Sequence, residues 1–231
     1  MTGVSRNGPL FDQVYDILWE RIIAGEITHG TRLSDLDWSK KLNVSRTPVR
    51  EAMRKLQQDG ILVQLDRGGC EIRRMSASDL RSLYRCRAVL ESLAVREAMD
   101  RFSEEQAKKL ADVIEETQAA LDRQEFERAF TLNTRFHNLT LEMSSNAYLK
   151  HLLTDLRRMI LFARSSLMIA AHQSEISGGY AEHLHRVQAD HREILEAMIE
   201  RDADKAAARM QAHLFSTGDD MANLAQKLGA P

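Results

Sequence analysis

The stretch LNVSRTPVREA, residues 42–52, decides the architecture of the N-terminal part of this chain. Asn43 suits a tight turn between two helices, and Ser45 is a residue type that caps the helix that follows. Pro48 is tolerated because it lies in the first turn of that helix, where its missing N–H has no intrahelical partner. The stretch therefore predicts a turn and then a helix that runs to Asp59 and ends at Gly60.

Two further helices and a hairpin surround this stretch. Apolar residues recur at helical spacing over residues 10–22. A serine followed three residues later by an acid predicts the cap of a short helix over residues 34–42. Residues 61–65 and 70–72 predict two strands, joined by a glycine-containing turn at residues 66–69. Helix, helix, turn, helix and hairpin together predict a winged helix-turn-helix.

The rest of the chain changes character near residues 74–78. No glycine occurs from Cys70 to Ser177, and no proline occurs between Pro48 and Pro231. Such a stretch predicts long helices rather than strands with tight turns. Residues 1–74 hold 12 Lys and Arg against 10 Asp and Glu, whereas the remainder holds 20 against 24. We therefore predict a mainly α protein with a winged head over residues 1–74 and a bundle of about six helices over residues 75–231.

Composition excludes several classes of protein. Of the 231 residues, 43% are apolar and 29% charged, which is typical of a globular protein with a core. No run of eighteen apolar residues occurs, so a membrane span is not expected. The polar N-terminus lacks the apolar stretch of a secretory signal, and two cysteines are too few for a disulfide framework. A cytoplasmic protein is expected.

Arginines recur every four residues on the helix that begins after Ser45, and apolar residues form a second stripe beside them. At 3.6 residues per turn the two stripes lie about a quarter-turn apart, so one can pack inward while the other faces DNA. Guanidinium matches the O6/N7 edge of guanine, and Thr47 with the helix N-terminal amides can bind phosphate. A solvated helix face is the alternative, and for Arg67 in the wing a plain turn residue is as plausible. The basic stripe is Arg46, Arg50 and Arg54; the apolar one is Val49, Met53 and Leu56.

The run VSRTPVRE, residues 44–51, closely resembles the signature of GntR-family transcription regulators. The resemblance implies that Arg46 and Arg50 contact operator bases and that Thr47 and the wing glycines assist. Where the family often has an arginine in the helix before the turn, this chain has Asp35-Leu36-Asp37. The expected DNA-binding residues are Ser45, Arg46, Thr47, Arg50, Arg54, Arg67, Gly68 and Gly69.

Seven of the eight histidines lie in the helical half. Asn133 and His137 share a helix face at i and i+4, while His191 and His213 lie among apolar residues of two other predicted helices. Three imidazoles and one amide oxygen on three helices can form a transition-metal site with open positions. Buried histidines that are each satisfied by a hydrogen bond are the alternative. The remaining four are interpreted as surface or packing residues: His151, His172, His183 and His185.

The residues around these histidines are similar to the FCD domain, the helical effector domain of the FadR subfamily of GntR regulators. The matching motifs are Asn133-x-x-Phe136-His137, Asp190-His191-Arg192 and Met210-x-x-His213. The resemblance implies that Asn133, His137, His191 and His213 bind a divalent metal, with Zn, Ni and Mn as candidates. Asn133 replaces the commoner aspartate, which removes one negative charge from the site.

Two residues of the first long helix are candidates for the effector. Arg87 matches a family arginine that faces the pocket and would pair with an effector carboxylate. An ion pair between Arg87 and Glu91, four residues on, is the equally open structural alternative. Tyr84, nearly one turn earlier, could hydrogen-bond an effector or pack in the core.

Together these patterns predict a cytoplasmic, effector-responsive DNA-binding regulator, acting as a repressor, and not an enzyme. A homodimer that binds a pseudo-palindromic operator is expected, because each chain has one recognition helix. A small organic acid, such as a sugar acid, would enter the helical pocket and change the spacing of the two heads. The alternatives are a pure metal sensor and a metal-dependent enzyme with a DNA-binding head. The enzyme lacks a convincing general base, because Glu196 lies on a different helix face from His191.

Overall fold

The structure is a computed structural model that describes residues 8–66, 68–173 and 178–229; the side chains of residues 168–182 are also outside the description. Within these ranges the chain forms nine α-helices and one small antiparallel sheet. The helices are α1 Leu10–Ile23, α2 Asp35–Leu42, α3 Arg46–Gln58, α4 Ala77–Ala98, α5 Glu104–Asp122, α6 Phe126–Ser144, α7 Ala147–Gln173, α8 Gly178–Ile199 and α9 Ala203–Lys227. The strands are β1 Arg32–Leu33, β2 Leu62–Gln64 and β3 Cys70–Ile72.

We call α1–α3 with the sheet the head, and α4–α9 the body. The predicted mainly α fold, with a winged helix-turn-helix followed by a six-helix bundle, is confirmed. No helix in the described part of the chain is both long and apolar enough to cross a membrane.

The turn between α2 and α3 forms as the sequence predicts. Asn43 adopts the left-handed conformation at φ 54° and ends α2, and Ser34 accepts a hydrogen bond from the Asp37 amide at the start of that helix. Ser45 occupies the N-cap position of α3, but its side chain makes no capping hydrogen bond there. Its hydroxyl therefore stays exposed at the end of the helix that was predicted to contact DNA.

The wing has one strand more than the predicted hairpin. β2 and β3 pair as expected, and β1 adds to the other edge of β3, with Arg32 opposite Glu71 and Leu33 opposite Cys70. Gly69 allows this close approach: at φ +83°, a β-carbon there would lie 3.0 Å from the Leu33 carbonyl oxygen. A strand of only two residues is too short to show the alternation of polar and apolar residues that marks a strand in sequence, so the predicted two-strand hairpin was incomplete.

Helix caps and a continuous apolar core set the geometry of the body. Capping boxes at Ser76 and Ser103 start α4 and α5, and Asn146 accepts a hydrogen bond from the Leu149 amide at the start of α7. α4 packs along α9, while α6 lies against α4 and α5. This arrangement brings the inward faces of α4, α6, α8 and α9 together around one set of buried polar side chains.

Candidate metal centre and DNA-binding surface

The two stripes of α3 separate as the sequence predicts. Val49, Met53 and Leu56 are buried against the rest of the head. On the outer face, Arg50 and Arg54 have no ion-pair partner among the described residues. The exposed set also includes Ser45, Arg46 and Thr47. The apolar stripe thus fixes the helix while the basic stripe remains available in solvent.

Arg46 differs from the other two arginines because Asp35 holds it. Its Nε and Nη2 atoms donate to Asp35 Oδ2 over 3.2 and 2.9 Å, in a two-pronged ion pair. The Arg46 side chain remains 61% exposed, so the pair holds the guanidinium in place without removing it from the surface. The acid that stands in α2 in place of an arginine is therefore the partner of a predicted DNA contact.

The wing tip carries the remaining predicted DNA contacts. Gly68 and Gly69 both have positive φ, and Arg32 Nη2 donates to the Gly68 carbonyl over 2.7 Å. Arg67 lies outside the described residues. The turn itself closes through the Gly68 amide, which donates to the Leu65 carbonyl oxygen.

Three histidines from three helices converge in the body. His137 on α6, His191 on α8 and His213 on α9 are each at most 3% exposed. Their ring centres lie 4.8 to 5.5 Å apart, and one nitrogen from each ring lies within 4.8 Å of the others. Phe136 stacks under His191, with ring centres 3.9 Å apart, and restricts that imidazole from below. We call these three residues the histidine cluster.

Two carboxylates fix the orientation of the cluster. His137 Nδ1 lies 2.6 Å from Glu91 Oε2, and His213 Nδ1 lies 3.0 Å from Asp190 Oδ2. A carboxylate accepts from an N–H, so each bond places the proton on Nδ1 and leaves the Nε2 lone pair free. Carboxylate–histidine pairs of this kind orient metal ligands and raise their basicity.

Burial keeps the cluster neutral. Burial lowers the pKa of His137 to about 3, although Glu91 opposes the shift. It also lowers the pKa of His191 and of His213 below the usual histidine range, and for His191 the neighbouring imidazoles add to the effect. Near neutral pH all three rings are therefore uncharged, which is the form that binds a metal ion.

The cluster fits a divalent transition metal. His191 Nε2 is buried and has no hydrogen-bond partner in the described part of the chain, which leaves a costly orphan polar atom beside two other imidazoles. Two nitrogens on one ion lie at most about 4 Å apart, since each bond is about 2 Å long. Small side-chain adjustments from the present spacing would satisfy that limit, and three neutral imidazoles are donors that suit a divalent transition metal.

Asn133, the fourth predicted ligand, is buried one turn before His137. It lines a small cavity together with His137, His213 and Arg87. The cavity holds only about 10 Å³, which is space for about one water-sized group. A larger ligand can enter only if the residues that line the cavity move.

Three arginines surround the cluster, and one carboxylate holds two of them. Glu91, fully buried, accepts from Arg87 Nε over 2.8 Å and from Arg157 Nη2 over 3.0 Å. Burial alone raises the pKa of Glu91, but Arg87, His137 and Arg157 outweigh it and hold the pKa well below its usual range. Arg164, also buried, lies over the Phe130 ring, and its Nε has no partner within the described residues. Arg87 and Arg164 line the cavity itself, and no carboxylate is among its described lining residues.

The two predicted effector residues, Arg87 and Tyr84, lie at different cavities of the structure. Arg87 makes the ion pair with Glu91 and also lines the cavity. Tyr84 is fully buried beneath Arg87, 5.7 Å from its guanidinium carbon, and lines a different cleft with Phe215. Its side chain packs tightly on α9, where a β-carbon at Gly218 would lie 2.5 Å from Tyr84 Cβ. The ring thus packs in the core, while the Tyr84 hydroxyl is buried without a hydrogen-bond partner in the described part of the chain.

His183, which was interpreted as a surface or packing residue, is buried. It lies 2.9 Å from Asp220 through Nδ1 and also lines the cavity. Its separation of eight residues from His191, two steps of i+4 on one helix, was the signal that could have placed it there. His151 and His185 are exposed, as predicted, and the His172 side chain lies outside the description.

Comparisons with known proteins agree with this architecture. Residues 10–72 match the model of the bacterial regulatory proteins of the gntR family, and residues 82–216 match the FCD domain. The HTH-type transcriptional regulator YdhC of Bacillus subtilis is 32% identical over 89% of this chain and 88% of its own. The HTH-type transcriptional repressor RspR of Escherichia coli is 26% identical over 98% of this chain and 95% of its own.

A solved structure supports the fold. Escherichia coli McbR/YncC superposes with a TM-score of 0.66 at 21% identity and covers 95% of this chain and 99% of its own. The names of the relatives indicate a transcriptional regulator rather than an enzyme. With a matched DNA-binding head, a matched helical domain and a relative above 30% identity over most of its length, the chain belongs to the GntR family of transcription regulators and carries an FCD domain.

Proposed function

We propose that this regulator binds one divalent transition metal at the histidine cluster and senses a small organic acid beside it. The observation that carries the proposal is the pair of carboxylates, Glu91 and Asp190, that turn two buried neutral imidazoles toward a third. His137, His191 and His213 would hold the ion, with Asn133 as a weaker fourth donor. When bound, the metal would supply positive charge and an open coordination position for a carboxylate.

The charges at the cavity favour an anionic effector. Arg87 is shared with Glu91, but Arg164 keeps an unsatisfied donor that can pair with a carboxylate. Because the cavity holds only about 10 Å³, the lining residues must move as the acid enters. Binding is thereby coupled to movement in the body, which is what a regulator of DNA binding requires.

A homodimer on a pseudo-palindromic operator is the assembly we propose, since each chain offers one recognition helix. Four exposed apolar side chains lie on two helices that pack against each other: Val89 and Leu93 on α4, and Tyr148 and Leu152 on α7. Tyr148 is 86% exposed, which is unfavourable for an apolar surface in a monomer. A second copy of this chain is the occupant we assign to this surface.

The domain boundary and the mode of regulation follow from the same scheme. We place the domain boundary between residues 74 and 75, just before the capping box of α4. The protein acts as a cytoplasmic repressor in this scheme, and the effector releases it from DNA.

Thermal shift with chelator-stripped protein tests the metal and the acid together. Zinc, nickel and manganese are added singly, each with and without a panel of hydroxy acids, sugar acids and dicarboxylates. We expect metal to raise the melting temperature and one class of acid to raise it further. Arg164→Met should lose the second rise and keep the first, whereas Arg135→Met on the exposed face of α6 should keep both. Metal response without any acid response would favour the pure metal sensor.

Sedimentation tests the dimer. Tyr148→Glu combined with Leu152→Glu should convert a dimer of about twice 26.3 kDa into a monomer, because the apolar surface acquires charge. Ile199→Glu, a change of an equally exposed apolar residue on α8, is the control and should leave the dimer intact. A wild-type monomer that binds a two-half-site duplex one to one would contradict the proposed assembly.

A further inference from the structure

α7 contacts both the histidine cluster and the head through neighbouring residues. Arg157 donates to Glu91 Oε1 over 3.0 Å and to the His137 carbonyl over 2.9 Å, and it also bonds Asn138. Arg157 thus contacts both Glu91, the carboxylate that orients His137, and the backbone of α6, the helix that carries His137. Any change in the position of Glu91 or α6 on ligand binding must act on Arg157.

The next residue of α7 holds the end of the recognition helix. Arg158 Nη1 lies 3.4 Å from Oδ2 of Asp59, the C-cap residue of α3, and its guanidinium carbon lies 5.6 Å from the centre of the Tyr15 ring. The Tyr15 hydroxyl donates to the same Asp59 oxygen over 2.5 Å, which ties α1 to this point. Beside them, a β-carbon at Gly60 would lie 3.3 Å from Met159 Cε.

Adjacent residues on a helix point about 100° apart, so a small rotation or shift of α7 moves both contacts at once. Packed helices respond to ligands by shifts of this kind rather than by continuous deformation. We propose that α7 transmits the state of the histidine cluster to the recognition helix through Arg157, which holds Glu91, and Arg158, which holds Asp59. Arg158 is a positioning residue: it contacts neither metal nor DNA, but sets where α3 stands relative to the body.

This inference rests on the proposed metal site. Its test measures zinc binding and the response of the head separately, so failure of the one is distinguished from failure of the other. Both tryptophans of the chain, Trp19 on α1 and Trp38 on α2, lie in the head, so tryptophan emission reports the head alone. Zinc sulfate is titrated into the stripped full-length protein, and calorimetry counts bound zinc. Tryptophan emission and hydrogen–deuterium exchange of residues 46–60 report the response of the head.

We expect zinc to change exchange at the C-terminal end of α3 by about fivefold or more in the wild type. Arg158→Gln and Asp59→Asn should still bind one zinc per chain but lose most of the change in exchange and emission. Arg158→Lys should restore part of the response, because it retains the charge. Lys150→Gln, a change of an exposed residue on the same helix, is the matched control and should respond like the wild type.

The outcomes that overturn the inference are distinct. If zinc binds and the head responds equally in Arg158→Gln, Asp59→Asn and the wild type, the signal does not pass through this ion pair. If zinc binds the wild type and the head does not respond, α7 transmits nothing. If calorimetry finds no zinc bound to the wild type, the metal proposal fails, and this inference, which rests on it, fails as well. A response that persists in His191→Ala would assign the zinc effect to the head itself.

Discussion

Arginines serve opposite purposes in the two halves of this molecule. On α3 of the head, Arg50 and Arg54 stand in solvent, and an apolar stripe on the other side of the helix does the packing. In the body, Arg87 and Arg164 are buried around the histidine cluster, and their charges are part of the interior. A charge in solvent costs the fold little and is free to meet phosphate, whereas a buried charge must be balanced inside the protein. The basic stripe of the head can therefore lose a charge without a loss of stability, whereas the buried charges around the histidine cluster cannot.

The largest effect should follow removal of the charge at the centre of the body. Glu91→Gln leaves the buried Arg87 and the partly buried Arg157 without their shared partner, so we expect the free energy of unfolding to fall by about 3–5 kcal/mol. Chemical denaturation at neutral pH measures the loss. Glu105→Gln removes an exposed partner of Lys109 on α5 and should leave the denaturation midpoint unchanged. Equal, small effects of the two changes would show that the buried charge of Glu91 matters no more to stability than an exposed one.

Removal of a charge from the recognition helix of the head should weaken DNA binding and leave stability unchanged. Arg50→Ala removes an exposed side chain of the basic stripe, so we expect operator affinity to fall by about 1–3 kcal/mol and discrimination to relax at one base position. The operator is a duplex selected from a randomised library with the wild-type protein. Arg85→Ala removes an exposed arginine of the body and should change affinity little. A folded Arg50→Ala protein with unchanged affinity and sequence preference would contradict the assignment of this stripe to DNA.

A smaller effect, on zinc affinity, is expected from a change at Asn133, the proposed fourth ligand. Asn133→Asp adds a negative charge beside His137, and we expect zinc to bind about tenfold more tightly, the scale on which supporting residues tune such sites. Competition with a fluorescent chelator measures the change. Thr134→Asp adds the same charge on the exposed face of α6 and should leave zinc affinity near the wild-type value. If both variants tighten zinc equally, Asn133 does not face the ion.

The sequence predicts the frame of the fold well because the frame depends on local signals. Periodicity, caps and the absence of glycine define the helices, and Asn43 marks the turn before α3. β1 was missed because two residues carry no pattern; only the pairing of Arg32 with Glu71, far along the chain, defines it as a strand.

The histidine cluster was predictable in its members but not in its surroundings. Asn133 and His137 share a face by spacing, apolar neighbours place His191 and His213 on inward faces, and the family resemblance joins the four into one site. The carboxylates that orient the rings could not be identified, because Glu91 lies 46 residues from His137 and Asp190 lies 23 residues from His213. Arg157 and Arg164 carry no sequence signal at all, since only the packing of α7 against α4 and α6 distinguishes them from surface arginines.

The metal content of the purified protein decides whether the histidine cluster holds an ion. Wild type, His191→Ala and His185→Ala are stripped with chelator, reloaded with zinc, freed of excess ion and analysed by elemental mass spectrometry. His185 lies on α8 with His191 but is exposed, so it controls for loss of any histidine. We expect one zinc per chain in wild type and His185→Ala and none in His191→Ala. The thermal stabilisation by zinc, about 2.7 kcal/mol at a hundredfold excess over the dissociation constant, should disappear with the metal. Equal zinc uptake by all three proteins would make His191 an ordinary core residue, and the proposed metal centre would be wrong.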